Sequence, residues 1–157
     1  WSSYVTPIQV GRHLSNCYAF FNGKEYVGDA TTGNIYELSS KEYADNLEPI
    51  VSVRICQHQY DRQNMEKIFI TRLHVDMETG VGDSEVLSQT GINPLASLAW
   101  SNDGGKSYGN EYLASIGAVG LYKTRLIWRR LGYARDRVFK LSISDPVKRI
   151  ITGVYVN

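Results

Sequence analysis

The sequence has few of the residues from which metal and redox centres are built. Its 157 residues include two cysteines, Cys17 and Cys56, and neither lies in a Cys-x-x-Cys motif or beside a histidine. A metal site needs more ligands than this pair supplies, so we expect two reduced, half-buried thiols. P-loop, dinucleotide-binding and G-x-S-x-G nucleophile motifs are absent too. The sequence therefore predicts no catalytic residue, no cofactor and no metal.

Long apolar runs and a strong net charge are also missing. No stretch is apolar for the roughly 18 residues that a membrane-spanning helix needs, so no membrane span is predicted. The net charge of +1 gives the chain as a whole little attraction for nucleic acid. Position 1 is tryptophan, with no basic and apolar leader behind it. We expect no signal peptide, and we expect the chain to be a fragment of a longer protein.

The charge that is present is unevenly distributed. Residues 1–78 contain seven basic and ten acidic residues, a net charge of −3, whereas residues 79–157 contain ten and six, a net charge of +4. Fifteen positions of the second half hold six of its basic residues. These are Lys123, Arg125, Arg129, Arg130, Arg135 and Arg137. This segment is a local basic patch in a nearly neutral chain.

Turn-forming residues recur at short intervals and predict an all-β protein. Asn22-Gly23 stands between two runs rich in Tyr, Phe and Val, which is the pattern of a tight hairpin whose central residues both need positive φ. A third run, Ile35–Leu38, follows the next turn. Three strands in about twenty residues form a meander, the unit of a β-propeller blade. We predict that residues 1–47 are a terminal propeller-like meander from a larger domain.

After Glu48-Pro49 the candidate strands become longer, and several have one apolar face. Arg137, Phe139, Leu141 and Ile143 alternate with more polar neighbours, and Phe69, Leu73 and Val75 are predicted to share a second apolar face. The six candidate strands are 50–55, 67–75, 95–100, 124–130, 138–143 and 150–156. Strands of this kind predict a β-sandwich of two packed sheets over residues 48–157, with the domain boundary near Pro49.

Helical signals are thin in comparison. Residues 39–46 could form a turn, and the mixed stretch 57–66 could form a short helix. Neither changes the prediction of an all-β fold.

The stretch SNDGGKSYG, residues 101–109, fits the Asp-box pattern of sialidase-type propellers. Asp and Ser side chains can hydrogen-bond backbone amides within such a loop, glycine supplies positive φ, and a following aromatic residue can anchor the turn to the sheet. Each of these properties makes a hairpin rigid, and none supplies chemistry. We therefore predict that Asp103, Gly104 and Gly105 form a structural turn.

Four carboxylates crowd a second loop, between Asp76 and Glu85. Oxygen ligands of this kind could hold Ca²⁺, although the spacing differs from that of an EF-hand. A solvated turn explains the loop equally well, so both interpretations stay open.

The most distinctive segment runs from Arg125 to Phe139 and mixes arginines with aromatic residues. In an extended strand Arg125, Ile127 and Arg129 would point one way, and Leu126, Trp128 and Arg130 the other. Arginine beside aromatics suits both nucleic-acid binding and protein interfaces, and we favour a protein interface. The candidate interface residues are Arg125, Trp128, Arg129, Arg130, Arg135 and Arg137.

Two longer strings resemble a known family. LAWSNDGGKSYG and SIGAVGLYKTRLIWRRLGYARDRVFKLSISDPVKRIITGVYVN look like the C-terminal end of the packaged-DNA stabilisation proteins, or tail hubs, of short-tailed phages. The upstream FFNGKEYVGDATTGNIYELSSKEY and RLHVDMETGVG are similar to the same family, so the likeness covers nearly the whole chain from Asn16. Tyr108 stands where this family leads us to expect tryptophan, which keeps an aromatic anchor.

The resemblance implies a structural protein of the virion and supplies no catalytic residues. It implies a tail component that is assembled in the bacterial host cytoplasm, joins after DNA packaging and helps to close the portal channel. It also implies a homo-oligomeric ring with a portal adaptor and a tail needle as neighbours. Non-specific contact with packaged DNA stays open as an additional role.

A carbohydrate-binding or sialidase-like protein is the alternative. The Asp box and eleven tyrosines suggest it. That class of enzyme needs arginines for a sugar carboxylate, a Tyr–Glu nucleophile pair and an acid. Tyr122 and Glu111 are available in type, but no pattern places them together.

Overall fold

A computed structural model describes residues 14–40, 42–45, 48–81 and 89–157 of the chain. The predictions that involve residues 1–13, Asp83 or Glu85 lie outside these described residues.

The first described unit is a three-stranded antiparallel meander. It consists of β1 (Ser15–Phe21), β2 (Lys24–Asp29) and β3 (Ile35–Leu38), in that spatial order. Asn22 and Gly23 join β1 to β2 with φ values of 49° and 77°, as the tight hairpin requires. Lys24 bridges to Glu37 at 2.7 Å. The predicted meander is confirmed, and its place in a propeller blade stays a prediction.

The turn between β2 and β3 is organised by one carboxylate. Asp29 accepts hydrogen bonds from the backbone N–H of Thr31 at 2.7 Å, the Thr31 hydroxyl at 2.9 Å and the Thr32 hydroxyl at 2.6 Å. These bonds favour the ionised carboxylate and lower the pKa of Asp29 to about 2. These hydrogen bonds hold the turn together with a backbone bond of 2.9 Å from the Asp29 N–H to the Asn34 carbonyl.

Two very short strands follow the meander. β4 (Ala44–Asp45) pairs antiparallel with β5 (Glu48–Pro49). Proline lacks an amide donor and biases the preceding residue toward extended backbone, which agrees with a strand that ends at Pro49. The domain boundary near this proline stays a prediction.

The remaining strands form two antiparallel sheets. Sheet A contains β6 (Ser52–Ile55), β9 (Leu95–Ser101), β10 (Tyr112–Ser115) and β12 (Asp136–Ile143), in the order β10-β9-β12-β6, and β7 (Gln59–Tyr60) also pairs with β12. Sheet B contains β8 (Ile68–Met77), β11 (Leu126–Ala134) and β13 (Ile151–Val156), in the order β11-β8-β13. One helical turn, α1 (Gln89–Ile92), precedes β9.

The two sheets share one hydrophobic core. Leu98 of β9 and Phe139 of β12, both from sheet A, pack in one cluster with Leu73 of β8 and Leu126 of β11, both from sheet B. Phe139 is fully buried, and the other three are at most 2% exposed. Two sheets that bury their inner faces against each other are a β-sandwich, so the predicted all-β fold is confirmed.

The predicted faces are right for β12 and wrong in part for β8. Arg137, Phe139, Leu141 and Ile143 are all buried, as their alternation predicts. Phe69, however, is 68% exposed, and its neighbour Ile70 is buried instead. The reason is a β-bulge at Thr71 and Arg72, whose N–H groups both donate to the carbonyl of Asn157, at 2.7 and 3.0 Å. A bulge adds one residue and reverses the alternation on one side of it.

Several smaller elements were not predicted, among them β7, β10 and α1. The stretch 57–66 contains β7 and a turn rather than a helix, because Gln59 and Tyr60 pair with Arg137 and Asp136. Strand β10 and the helical turn α1 are four residues each, which is too short for a periodic pattern to show.

Candidate interaction site

The stretch 101–109 links β9 to β10 and is a closed network of hydrogen bonds. The Asp103 carboxylate accepts from the hydroxyls of Ser101 and Ser107, both at 2.5 Å, and from the backbone N–H groups of Lys106 and Ser107, both at 3.0 Å. The N–H of Gly105 donates to the Ser101 hydroxyl at 2.8 Å. These donors lower the pKa of Asp103 well below its usual range. The carboxylate is fully occupied within its own loop.

Two glycines let this loop close. Gly104 has φ +77° and Gly105 φ +89°, a region that residues with a Cβ rarely adopt. Tyr108 lies beyond them, with Lys140 Nζ of β12 4.9 Å from its ring centroid, so the aromatic residue reaches back to sheet A. This geometry has every property expected of a structural turn at Asp103, Gly104 and Gly105.

Arg137 lies inside the sandwich and holds the Asp-box loop and the β11–β12 corner together. It is 3% exposed, and its Nε donates to Asn102 Oδ1 at 2.9 Å. Its Nη atoms donate to the carbonyls of Leu131 and Tyr133. Burial lowers the pKa of the guanidinium from its usual value. Among the candidate interface residues, Arg137 is therefore an interior residue whose donors are used within the chain.

Trp128 lies in the interior as well. It is 6% exposed, and its indole Nε1–H donates to the Tyr112 carbonyl at 2.8 Å, which links β11 of sheet B to β10 of sheet A. The Tyr112 ring stacks on Trp100 at 4.8 Å, and the Arg137 guanidinium lies over the same Trp100 ring, 5.4 Å from its centroid. Trp128 thus joins the two sheets.

The other four candidate residues, Arg125, Arg129, Arg130 and Arg135, are exposed. Arg130 does not share the buried face of Trp128 as its alternation predicted. It has φ +59°, and the pairing of β11 with β8 shifts between Arg129 and Gly132. This bulge turns Arg130 outward beside Arg129, and Leu131 takes the next position in the core.

Sequence reasoning missed one member of this surface, Arg72. It lies directly opposite Arg129 in the β8–β11 pairing, and it is exposed. Arg72, Arg129 and Arg130 line an open depression of about 420 Å³ on sheet B, whose remaining wall comes from Phe69, Thr71 and Asn157. No carboxylate of the described residues lies within 4.0 Å of these three guanidinium groups. We call this feature the arginine depression.

Asp136 lies between Arg135 and Arg137 in the sequence, but its carboxylate contacts a histidine. Its carboxylate contacts His58 Nδ1 at 2.8 Å, rather than Arg135 or Arg137. The His58 ring also lies near the Asp-box loop, 3.7 Å from the position that a Cβ on Gly104 would take. The segment between β6 and β7, which contains His58, is thereby linked to Asp136 at the start of β12.

The remaining candidate side chains are the acidic residues near Asp76, the two cysteines and Tyr122. In the acidic loop, Glu78 pairs with Lys148 at 3.0 Å, and no group of three metal-ligating side chains occurs in the part of the chain that is described. Both cysteines are free; Cys56 is half-buried, as expected, but Cys17 is exposed. Burial raises the pKa of the Cys56 thiol. Tyr122 of the alternative glycosidase pair is 73% exposed.

No helix among the described residues is both long and apolar enough to cross a bilayer.

Comparison with known proteins places the sandwich in a family. Residues 55–157, which include every strand of sheet B and most of sheet A, match the family described as "Bacteriophage P22 Gp10, beta-sandwich". No curated protein matches the chain significantly. The match begins at the end of β6 and continues to the last residue, so it covers both the Asp-box loop and the arginine depression. The chain belongs to the bacteriophage P22 Gp10 β-sandwich family.

Proposed function

We propose that this protein is a structural component of a short-tailed phage tail, a tail hub that joins the particle after DNA packaging. In this role it helps to close the portal channel, stabilises the packaged DNA and connects a portal adaptor to the distal tail. It works in the virion after assembly in the bacterial host cytoplasm. The observation that carries the proposal is the family match over residues 55–157.

The interior of the sandwich supports a structural role. Its polar side chains are used to join the two sheets: Arg137 bonds to Asn102 and to two carbonyls of β11, and Trp128 bonds to the Tyr112 carbonyl. Buried polar groups that are fully bonded make a fold rigid and specify one arrangement of its strands. A rigid domain suits a part that must withstand the pressure of packaged DNA.

The surface of sheet B supports contact with other proteins of the particle. Arg129 and Arg130 are exposed beside Phe69 and Tyr133, which are 68% and 63% exposed. Arginine and aromatic side chains are over-represented at the energetic centres of protein interfaces. We propose that this surface meets a neighbouring subunit, in a ring of copies or against the adaptor or needle.

The proposal is tested by removing the protein from the phage that encodes it. Particles grown without the protein are expected to package DNA and then to lose it, and the purified protein is expected to restore retention when it is added before the particles leak. Retained DNA is measured by nuclease protection and by density in a gradient. If the purified protein binds to particles that lack it but does not change DNA retention, the role in closing the channel is contradicted.

A parallel assay addresses the carbohydrate alternative. The purified protein is incubated with a fluorogenic sialoside and a panel of fluorogenic glycosides. We expect no release of the fluorophore by the protein or by Glu111→Gln, which serves as the matched variant. Release that Glu111→Gln abolishes would replace the tail proposal with a glycosidase.

A further inference from the structure

We propose that the arginine depression is a binding site for carboxylates, which receives an acidic segment of another protein chain. The inference rests on the proposed function in one respect: the other chain would be a neighbouring protein of the phage particle. The site itself is defined by Arg72, Arg129 and Arg130 on two strands of sheet B.

The first observation is an uncompensated concentration of positive charge. Arg72 and Arg129 are directly opposite each other in the β8–β11 pairing, and like charges in that position destabilise a sheet. Arg130 adds a third guanidinium to the same depression. Within the described part of the chain, no acidic side chain lies close enough to form an ion pair with any of the three. An external anion would remove this repulsion.

The second observation is backbone geometry that gathers the three arginines. The bulge at Thr71 and Arg72 gives two consecutive exposed residues on β8, and the shifted pairing at Arg129 and Arg130 gives two more on β11. Arg130 holds φ +59°, which an arginine adopts at a cost in strain. Bulges and strained residues of this kind occur preferentially at functional sites.

The third observation distinguishes a protein ligand from DNA. Phe69 lies opposite Tyr133 on the same pair of strands, both are largely exposed, and Lys67 Nζ lies 4.9 Å from the Tyr133 ring centroid. Duplex DNA presents phosphates to a basic surface and offers little for exposed aromatic rings to contact. An acidic protein segment offers carboxylates for the planar guanidinium groups and apolar side chains for the rings. The composition of the surface therefore favours protein.

The test measures binding of defined probes to the full chain. The first probe is a fluorescein-labelled peptide of six glutamates and two phenylalanines, and the matched probe replaces every glutamate by glutamine. The third probe is a labelled DNA duplex of twenty base pairs. Binding is followed by fluorescence anisotropy at several salt concentrations.

Three variants remove one charge each from the depression: Arg72→Gln, Arg129→Gln and Arg130→Gly. The glycine is chosen because it adopts positive φ without strain, so this variant keeps the bulge while it removes the guanidinium. Arg62→Gln is the control with the same charge change, because Arg62 is exposed in the turn after β7. Thermal unfolding verifies that each variant is folded.

We expect the glutamate peptide to bind and the glutamine peptide to bind at least tenfold more weakly. Each of the three variants should weaken binding of the glutamate peptide about tenfold, the effect of one charge-assisted pair, and Arg62→Gln less than twofold. Equal binding of the two peptides, or an equal effect of Arg62→Gln, would overturn the proposal. Tighter, steeply salt-dependent binding of the duplex that the three variants abolish would assign the site to DNA instead. If the glutamate peptide does not bind but particles still need the protein to retain DNA, this proposal is wrong and the proposed tail function is unaffected.

Discussion

Arg137 and Asn102 are joined by a hydrogen bond of 2.9 Å from the guanidinium Nε to the side-chain Oδ1. Asn102 is the second residue of the Asp-box loop, and Arg137 is the last arginine of the basic patch and the second residue of β12. The bond therefore connects the Asp-box loop to the arginine-rich segment. Arg137, which the sequence predicted to be an interface residue, is instead part of the interior.

Replacing Arg137 should destabilise the sandwich. Arg137→Met removes the donors that satisfy the carbonyls of Leu131 and Tyr133, and a buried polar group without a partner costs about 1–3 kcal/mol. We expect the free energy of unfolding to fall by about 2–3 kcal/mol in chemical denaturation. Arg135→Met, an exposed neighbour, should stay within about 0.5 kcal/mol of the parent protein. Equal effects of the two substitutions would show that Arg137 has no special role in the interior.

The Asp-box loop should be most sensitive at its glycines. Gly105→Val places a β-branched residue at φ +89°, where strain costs about 1–3 kcal/mol. Asp103→Asn keeps an oxygen that accepts backbone N–H groups, so we expect a smaller loss of thermal stability. Both melting temperatures are measured by circular dichroism. Asp103→Asn with an unchanged melting temperature but failed DNA retention in particles would show that the loop is more than a structural turn.

Acid should release the two carboxylate-centred turns. The folded-state pKa values of Asp29 and Asp103 are lowered, so each group contributes stability that is fully present above its unfolded pKa, about 3.8 for Asp29. That contribution is lost as the pH falls through the folded pKa, about 2 for Asp29. Carboxyl ¹³C titration by NMR should give an Asp29 midpoint near 2, and Thr32→Val should raise it. A midpoint near 3.8 in the parent protein would contradict the turn geometry.

Trp128 should behave as a core residue and not as an interface residue. Trp128→Phe keeps an aromatic ring but loses the hydrogen bond to the Tyr112 carbonyl, which leaves that carbonyl without its donor. We expect a loss of about 1–2 kcal/mol in the free energy of unfolding, and normal assembly below the melting temperature. Tyr122→Phe, on an exposed side chain, is the control. If the stability of Trp128→Phe is unchanged but its assembly fails, Trp128 is an interface residue.

Local chemistry in the sequence determined much of the fold. Asn22 and Gly23 specify their hairpin because few other pairs tolerate positive φ at both positions. The alternation of Arg137, Phe139, Leu141 and Ile143 specifies the buried face of β12, since side chains two apart share one side of a strand where no bulge intervenes. The Asp-box loop is specified locally as well. Its hydrogen bonds join Ser101, Asp103 and Ser107, which lie within seven positions of one another.

The arginine depression was decided by tertiary structure. A bulge depends on how two strands align, so the exposure of Phe69, the outward turn of Arg130 and the meeting of Arg72 with Arg129 have no signature in either strand alone. Nothing in the sequence distinguishes Arg135 from Arg137. In the structure Arg135 is exposed, whereas Arg137 is buried and donates to carbonyls of β11. The sequence determined that arginines would be concentrated here. The packing of two sheets decided which of them remain exposed, because only a neighbouring strand or sheet can bury a side chain or supply its hydrogen-bond partners.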